Sequence, residues 1–130
     1  MEQTTDTSQN QWIDLADLSG LVASLKAPDT KIDAIIDAML AGPSVVRKLT
    51  MAELRDTGWL ESQPFTRGGA ALRVLLQRRG LKARTWSDDG ITTTAVSDLS
   101  GNSRQASGHD DVVSTLLAII LFETTRQQDA

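Results

Sequence analysis

A run of seven apolar residues late in the sequence constrains the fold most strongly. Residues 116–122 read LLAIILF, and the polar residues Thr115 and Glu123 flank the run. A helix that is apolar nearly all round has to be covered on more than one side. Crossing a bilayer takes roughly 20 apolar residues, so this run predicts a helix buried in a protein core and not a membrane span.

The hydrophobic pattern before this run predicts a helix and three antiparallel strands. Thr66 offers the hydroxyl of a helix N-cap, and Gly80 suits the left-handed position that ends a helix. The Asp-Asp-Gly sequence at 88–90 tolerates the positive φ of a tight hairpin turn. We expect strands over residues 81–86, 91–96 and 103–107. Asp110 or Asp111 would then cap the last helix, with its negative charge at the positive end of the helix dipole.

The first part of the sequence predicts a polar tail followed by two helices. Residues 12–25 and 30–40 carry apolar side chains at helical spacing, with Asp14 or Asp17 as the candidate N-cap of the first helix. Pro28 separates the two helices because the residue before proline avoids the helical region. Two short helices with a tight connection are expected to pack antiparallel. The sequence therefore predicts a disordered tail (1–10) followed by one α+β domain (11–130). Within the domain we expect three parts: a helical hairpin (11–42), a connector (43–65) that contains a short helix at 51–57, and an α-β-β-β-α unit (66–127).

Composition excludes several kinds of chemistry. The chain of 130 residues is long enough for its own core, but it has no cysteine, which excludes disulfides, thiolate catalysis and zinc–cysteine sites. Its single histidine, His109, excludes a multi-histidine metal site, and the glycine-loop and serine-nucleophile motifs are missing. We therefore predict no catalytic residue, no cofactor and no metal. Residues 1–10 lack the pattern of a signal peptide, which predicts a cytoplasmic protein.

Two segments together resemble a known family. The first, residues 18–40, contains a helix, the step Ala27-Pro28-Asp29 and a second helix that opens on Ile32-Asp33-Ala34. The second, Pro64-Phe65-Thr66, leads into Ala70-Ala71-Leu72, a hairpin and a final helix rich in Ala and Leu. Over residues 18–125 the chain resembles the small "ABA sandwich" proteins of bacteriophages and prophages. Members of that family often carry Trp- and Tyr-rich sequence before the Pro-Phe-Thr step, whereas this chain has no tyrosine and only Trp59 there.

This resemblance implies an architecture and a setting. The architecture is a leading helical pair in front of a sandwich of helix, β-meander and helix. The setting is that of a phage accessory protein acting on host functions in the host cytoplasm. We expect from it a non-enzymatic protein that binds and neutralises a host component, such as a defence protein or a small nucleotide messenger. No catalytic residue carries over from the family.

The most concentrated charge lies between Arg67 and Arg84, a segment with six cations and no acid. A helix end and the following strand can bring these cations together beside a tryptophan, and such a surface can hold a nucleotide, a nucleic acid or another partner. The candidate partner- or anion-binding residues are Arg73, Arg78, Arg79, Lys82, Arg84 and Trp86. The structural alternative is that cations near a helix C-terminus interact with the dipole and cover apolar surface with their stems. A nucleic-acid-associated regulator is accordingly the second functional hypothesis.

Three other patterns favour structural interpretations. Asp29, Asp33 and Asp37 could form an acidic line that binds a cation, but a solvated helix face is the favoured interpretation. The α-β-β-β-α order matches double-stranded RNA-binding domains, yet carboxylates occupy the place where those domains hold phosphate-binding lysines. The histidine and two aspartates at 109–111 are typical of a helix start and not of an acid–base or metal site.

An exposed tryptophan and two strand edges predict an interface. Trp86 is expected on the polar face of its strand, and an exposed tryptophan favours a protein contact. The edge strand at 103–107, or the opposite edge at 81–86, could pair with a second copy and form a homodimer. We expect a host protein as the main partner, with a nucleotide or nucleic acid as the alternative. Salt would discriminate between them, because phosphate binding weakens steeply as salt rises.

Overall fold

The computed structural model describes residues 12–50, 52–53 and 63–129 and has a mixed fold, which confirms the predicted α+β class. Its elements are, in order, β1 (Trp12–Asp14), α1 (Leu15–Ala23), α2 (Thr30–Leu40), β2 (Lys48–Thr50), a 3-10 helix (Phe65–Arg67), α3 (Ala70–Arg79), β3 (Lys82–Asp88), β4 (Ile91–Ser97), β5 (Ser103–Gly108) and α4 (Asp111–Asp129). The tail predicted over 1–10, and most of the helix predicted over 51–57, lie outside the described residues.

The last helix, α4, is covered on two sides, by β4 and β5 on one and by α1 on the other. The side chains of its apolar run that become buried are Leu116, Ala118, Ile119, Ile120 and Phe122. Burial of each large apolar side chain stabilises the fold by roughly 1.5–3 kcal/mol, so α4 contributes strongly to the core, as its sequence predicts. Across the described residues, no helix combines the length and apolar character that crossing a membrane requires.

The three longer strands form an antiparallel sheet in the order β3-β4-β5. Between β3 and β4, Asp89 has φ 53° and Gly90 has φ 78°. Two consecutive positive values are those of a type I′ turn, as the Asp-Gly sequence predicts. Buried Thr92 and Val96 point from β4 towards α4. The alternate side chains of the sheet point away from α4, and we call that side the outer face.

Hydroxyl groups contact one another where α4 meets the sheet, and those of Thr94 and Ser114 are buried. Thr94 Oγ1 lies 2.8 Å from Ser114 Oγ and 2.9 Å from Thr85 Oγ1. Ser114 Oγ also donates to the Asp111 carbonyl at 3.2 Å. A buried hydroxyl without a partner is costly, so this chain of contacts allows polar residues at the centre of the interface.

The start of the described chain differs from the helix predicted over 12–25. Trp12–Asp14 form β1, which pairs with β2 and places Ile13 opposite Leu49. Asp14 then caps α1, because its carboxylate accepts the Asp17 N–H at 2.8 Å while its own N–H donates to the Asp17 carboxylate at 3.0 Å. The helical pattern that starts at Trp12 is a wrong prediction over residues 12–14, because pairing with a strand distant in sequence leaves no local signal. Of the two predicted N-cap residues, Asp14 is confirmed.

Thr66 is not the N-cap of α3, which corrects a second prediction. It lies in the 3-10 helix, and α3 begins after Gly69. The Thr66 hydroxyl accepts the Asp29 N–H at 2.8 Å, and the Thr66 N–H donates to Asp33 Oδ1 at 2.7 Å. Because Asp29 caps α2, these bonds tie the loop before α3 to the start of α2. Asp33 is buried by this contact, so the predicted solvated face is wrong at that position.

The predicted C-terminal end of α3 and the predicted start of α4 are confirmed. Gly80 adopts the left-handed conformation after α3, with φ 70° and ψ 35°, and the Leu81 N–H donates to the Leu76 carbonyl at 2.8 Å. Asp110 is the residue that caps α4, because its Oδ1 accepts the Val113 N–H at 2.9 Å. These features were predictable because each depends on a short stretch of sequence.

A glycine fixes the approach of the 3-10 helix to α4. Gly68 has φ 80°, and a Cβ atom placed on it would lie 2.7 Å from Val112 Cγ2. Both the backbone conformation and the close contact therefore require glycine.

Candidate functional site

The edge strand β3 carries half of the predicted binding residues on an exposed surface. All of its side chains, from Lys82 to Asp88, are exposed. Because successive side chains of a strand point to opposite faces, Lys82, Arg84 and Trp86 lie together on the outer face. The guanidinium carbon of Arg84 lies 5.5 Å from the centre of the Trp86 ring, which is within cation–π range. The structure therefore brings these three predicted residues together.

A further exposed apolar residue extends this surface. Trp86 lies opposite Thr93, and Asp88 lies opposite Ile91, so Ile91 is the diagonal neighbour of Trp86 on the outer face. Trp86 is 39% exposed and Ile91 is 54% exposed. We call Lys82, Arg84, Trp86 and Ile91 the outer-face patch. Its combination of a tryptophan, an arginine and an aliphatic side chain is one that contributes strongly to protein interfaces.

Two predicted binding residues, Arg78 and Arg79, donate hydrogen bonds to the backbone of the chain itself. Arg78 Nη1 donates to the Ala41 carbonyl at 2.8 Å, and Arg79 Nη2 donates to the Gly42 carbonyl at 2.6 Å. Both carbonyls follow the C-terminus of α2, where backbone acceptors lack helical partners. Arg79 is buried, which corrects its assignment to an accessible anion-binding surface. Arg73 is exposed on α3, and whether it binds a partner stays a prediction.

A buried carboxylate lies near these arginines. Glu123 is 1% exposed, and its two carboxylate oxygens lack hydrogen-bond partners among the described residues. Arg126 Nη1 lies 3.3 Å from Glu123 Oε2, in an ion-pair contact without hydrogen-bond geometry. Burial raises the pKa of Glu123, and the positive charges of Arg126 and Arg79 oppose this rise only in part. No sequence pattern predicts a buried carboxylate here, because Glu123 stands at the polar end of an apolar run.

A small cavity of about 120 Å³ lies where the β4–β5 turn meets α4. Its lining residues are Asp98, Asn102, Arg104, Phe122 and Arg126. The Arg126 guanidinium carbon lies 4.6 Å from the centre of the Phe122 ring. The side-chain amide of Asn102 donates to Asp98 and is the main cause of a lowered Asp98 pKa. Two guanidinium groups and an amide are the donors that a compact anion prefers, although the Asp98 carboxylate opposes this.

The histidine at the start of α4 does not belong to a larger cluster of acids. His109 Nε2 lies 3.6 Å from Asp110 Oδ2, and both side chains are exposed. The other oxygen of Asp110 caps α4, so this pair occupies a helix start. Within 12–50, 52–53 and 63–129, no group of three histidine, cysteine, aspartate or glutamate side chains could hold a metal ion.

Neither protein-family models, nor curated proteins, nor solved structures gave a match to this chain. The resemblance to phage ABA sandwich proteins therefore stays a prediction, and the outer-face patch has to be interpreted from its own chemistry.

Proposed function

We propose that this chain is a non-enzymatic accessory protein, of the kind that bacteriophages encode, which binds and neutralises a host protein in the host cytoplasm. The observation that supports this most is the outer-face patch, where Trp86 and Ile91 remain exposed beside Arg84. Exposed tryptophan and arginine side chains in one patch are typical of residues that contribute most to protein binding.

The patch specifies the chemistry of the partner surface. Trp86 and Ile91 offer apolar area that binding would remove from water, which is favourable by roughly 25 cal/mol per Å². Lys82 and Arg84 lie beside them, so the matching surface would be an apolar recess with acidic residues on one side. Charges at such a rim mainly accelerate association and select the partner.

The second hypothesis, a nucleic-acid-associated regulator, has weaker support. Lys82, Arg84 and Trp86 provide two cations and a stacking surface. However, Arg78 and Arg79 donate to the backbone carbonyls after α2, and Asp88 shares the outer face. Nucleic-acid affinity depends on the number of phosphates that cations neutralise, so the protein partner is the better-supported proposal.

Capture from host lysate tests the proposal. The tagged full-length chain is compared with Trp86→Ser and Ile91→Ser, and Leu99→Ser serves as the matched control, since Leu99 is 92% exposed outside the patch. We expect one host protein to be captured by the unchanged chain and the control, and to be reduced at least tenfold by both patch variants. Nuclease treatment should leave capture unchanged. Equal capture by all variants would refute the role of the patch, and loss on nuclease treatment would favour the nucleic-acid hypothesis.

A further inference from the structure

Among the described residues no strand pairs with the free edge of β3, and this edge lacks several of the features that protect edge strands. Its seven residues are all exposed and contain no proline. Its register with β4 is unbroken from Lys82 to Asp88, so no bulge bends it. The residues that point to the α4 side, Ala83, Thr85 and Ser87, are uncharged. Natural sheets protect an edge with proline, a bulge, an inward charge or charged side chains such as lysine. The charges of β3, at Lys82, Arg84 and Asp88, all lie on the outer face, so the edge is suited to pairing with a strand of matching charge.

The hairpin turn decides which backbone groups are free. Asp88 and Ile91 flank the two-residue turn, and in such a turn the first carbonyl accepts the N–H of the last residue. Residues of an antiparallel pair alternate between hydrogen-bonded and non-hydrogen-bonded positions. The even-numbered residues of β3 therefore bond to β4, and Ala83, Thr85 and Ser87 direct their N–H and C=O groups towards the free edge.

We infer that β3 pairs antiparallel with β3 of a second copy, about a two-fold axis at Thr85, and joins the two sheets into one. In this register every residue of the strand faces a compatible one. The facing pairs are Thr85 with Thr85, Ala83 with Ser87, Arg84 with Trp86, and Lys82 with Asp88. The last pair joins opposite charges and the third is a cation–aromatic pair, and both lie on the outer face.

Other registers satisfy fewer groups. When Thr85 faces Thr85 of the second copy, the residues whose backbone groups point to the free edge face one another. These residues, Ala83, Thr85 and Ser87, then exchange hydrogen bonds between the copies. A shift that sets Arg84 opposite itself places like charges together, which is unfavourable. A shift that sets Trp86 opposite itself leaves Ala83 without a strand partner, because it would face the turn residue Asp89. The register at Thr85 alone uses the whole strand.

This dimer does not depend on the proposed function, but it changes the geometry of the outer-face patch. Pairing at β3 brings the two patches together at the centre of one continuous sheet. The surface available to a host partner then becomes two-fold symmetric, which favours a symmetric target or two copies of a target.

Charge reversal tests the pairing and its register in the full-length chain. Within one chain, Lys82 lies opposite Ser97 and Asp88 lies opposite Ile91, so these two charges meet only between copies. We expect the unchanged chain to sediment at twice its 14.1 kDa mass. Lys82→Asp and Asp88→Lys should each weaken dimerisation about tenfold or more, and the double variant should restore it to within about threefold. Arg73→Asp, on α3, is the matched control and should dimerise normally.

A monomer at all concentrations up to about 100 μM would overturn the inference. So would single reversals that leave the dimer unchanged, or a double variant weaker than either single. Circular dichroism establishes that each variant is folded. Amide exchange gives a second measurement: exchange at Ala83, Thr85 and Ser87 should slow as concentration rises in the unchanged chain, and not in Lys82→Asp.

Discussion

Replacement of the buried acid Glu123 by glutamine should stabilise the protein at neutral pH. The side chain is 1% exposed and its oxygens accept no hydrogen bond among the described residues. Glutamine has nearly the same shape and no charge. Since burial raises the pKa of Glu123 despite the nearby Arg126 and Arg79, the folded protein favours the neutral form of this group, which glutamine imitates.

The magnitude follows from two opposing effects. Leaving a buried polar group without a hydrogen bond costs about 1–3 kcal/mol, and a charged group costs more, so glutamine removes only the excess that belongs to the charge. The contact with Arg126 returns at most about 1 kcal/mol, because the Arg126 side chain is partly exposed and its charge is screened by water. We therefore expect Glu123→Gln to raise the free energy of unfolding by about 1 kcal/mol at pH 7.

The sign of the pH dependence follows from the raised pKa. The folded protein holds the Glu123 proton at pH values where the unfolded chain, with an ordinary pKa of 4.5, has lost it. Protonation therefore stabilises the unchanged protein as the pH falls from neutral towards 4.5, by about 1.4 kcal/mol for each unit of pKa difference. The advantage of Glu123→Gln should shrink over the same range.

Urea unfolding at fixed protein concentration, at several values between pH 7 and pH 4.5, measures both effects. Asp89→Asn is the control, since it removes one negative charge from an exposed turn residue and asparagine tolerates the left-handed conformation there. The reasoning would be refuted if Glu123→Gln lowered the free energy of unfolding at pH 7. It would also be refuted if the difference between Glu123→Gln and the unchanged chain were independent of pH.

Two further substitutions test the packing. Leu116→Ala should lower the free energy of unfolding by about 2–5 kcal/mol, because Leu116 is fully buried. Its control, Leu121→Ala on the exposed side of α4, should lower it by less than about 1 kcal/mol. Urea unfolding compares the two variants, and equal losses would contradict the layered packing. Gly68→Ala should lower the free energy of unfolding by about 1 kcal/mol or more, because Gly68 has a positive φ and an added Cβ would meet Val112. The midpoint of thermal unfolding should fall accordingly. Its control, Gly20→Ala, should not lower the midpoint, because a Cβ there meets no atom.

Features that depend on neighbouring residues were predictable from the sequence. The positive φ values at Asp89 and Gly90, the left-handed Gly80 and the cap at Asp110 each follow from a few adjacent side chains. The burial of α4 was predictable as well, because a helix that is apolar nearly all round has few alternatives.

Features that depend on distant residues were not predictable. The pairing of Trp12–Asp14 with Lys48–Thr50 and the bonds from Thr66 to the start of α2 join segments far apart in sequence. The same holds for the binding surface. The alternation of side chains along one strand correctly predicted that Arg84 lies beside Trp86. The prediction that Arg79 lies on the surface was wrong, because its contact with Gly42 depends on how α2 and α3 pack.

The position of α4 between the sheet and α1 has a consequence for how the chain folds. The helices that meet there, α1 and α4, come from opposite ends of the described sequence. Loop closure over such a distance has to precede their contact, and contacts between distant residues slow folding. Until α4 packs against them, the apolar side of α1 and the α4-facing residues Thr92, Thr94 and Val96 of β4 stay open to water. Amide exchange in these three elements should therefore occur in one shared opening event, with the separate layers unable to persist alone.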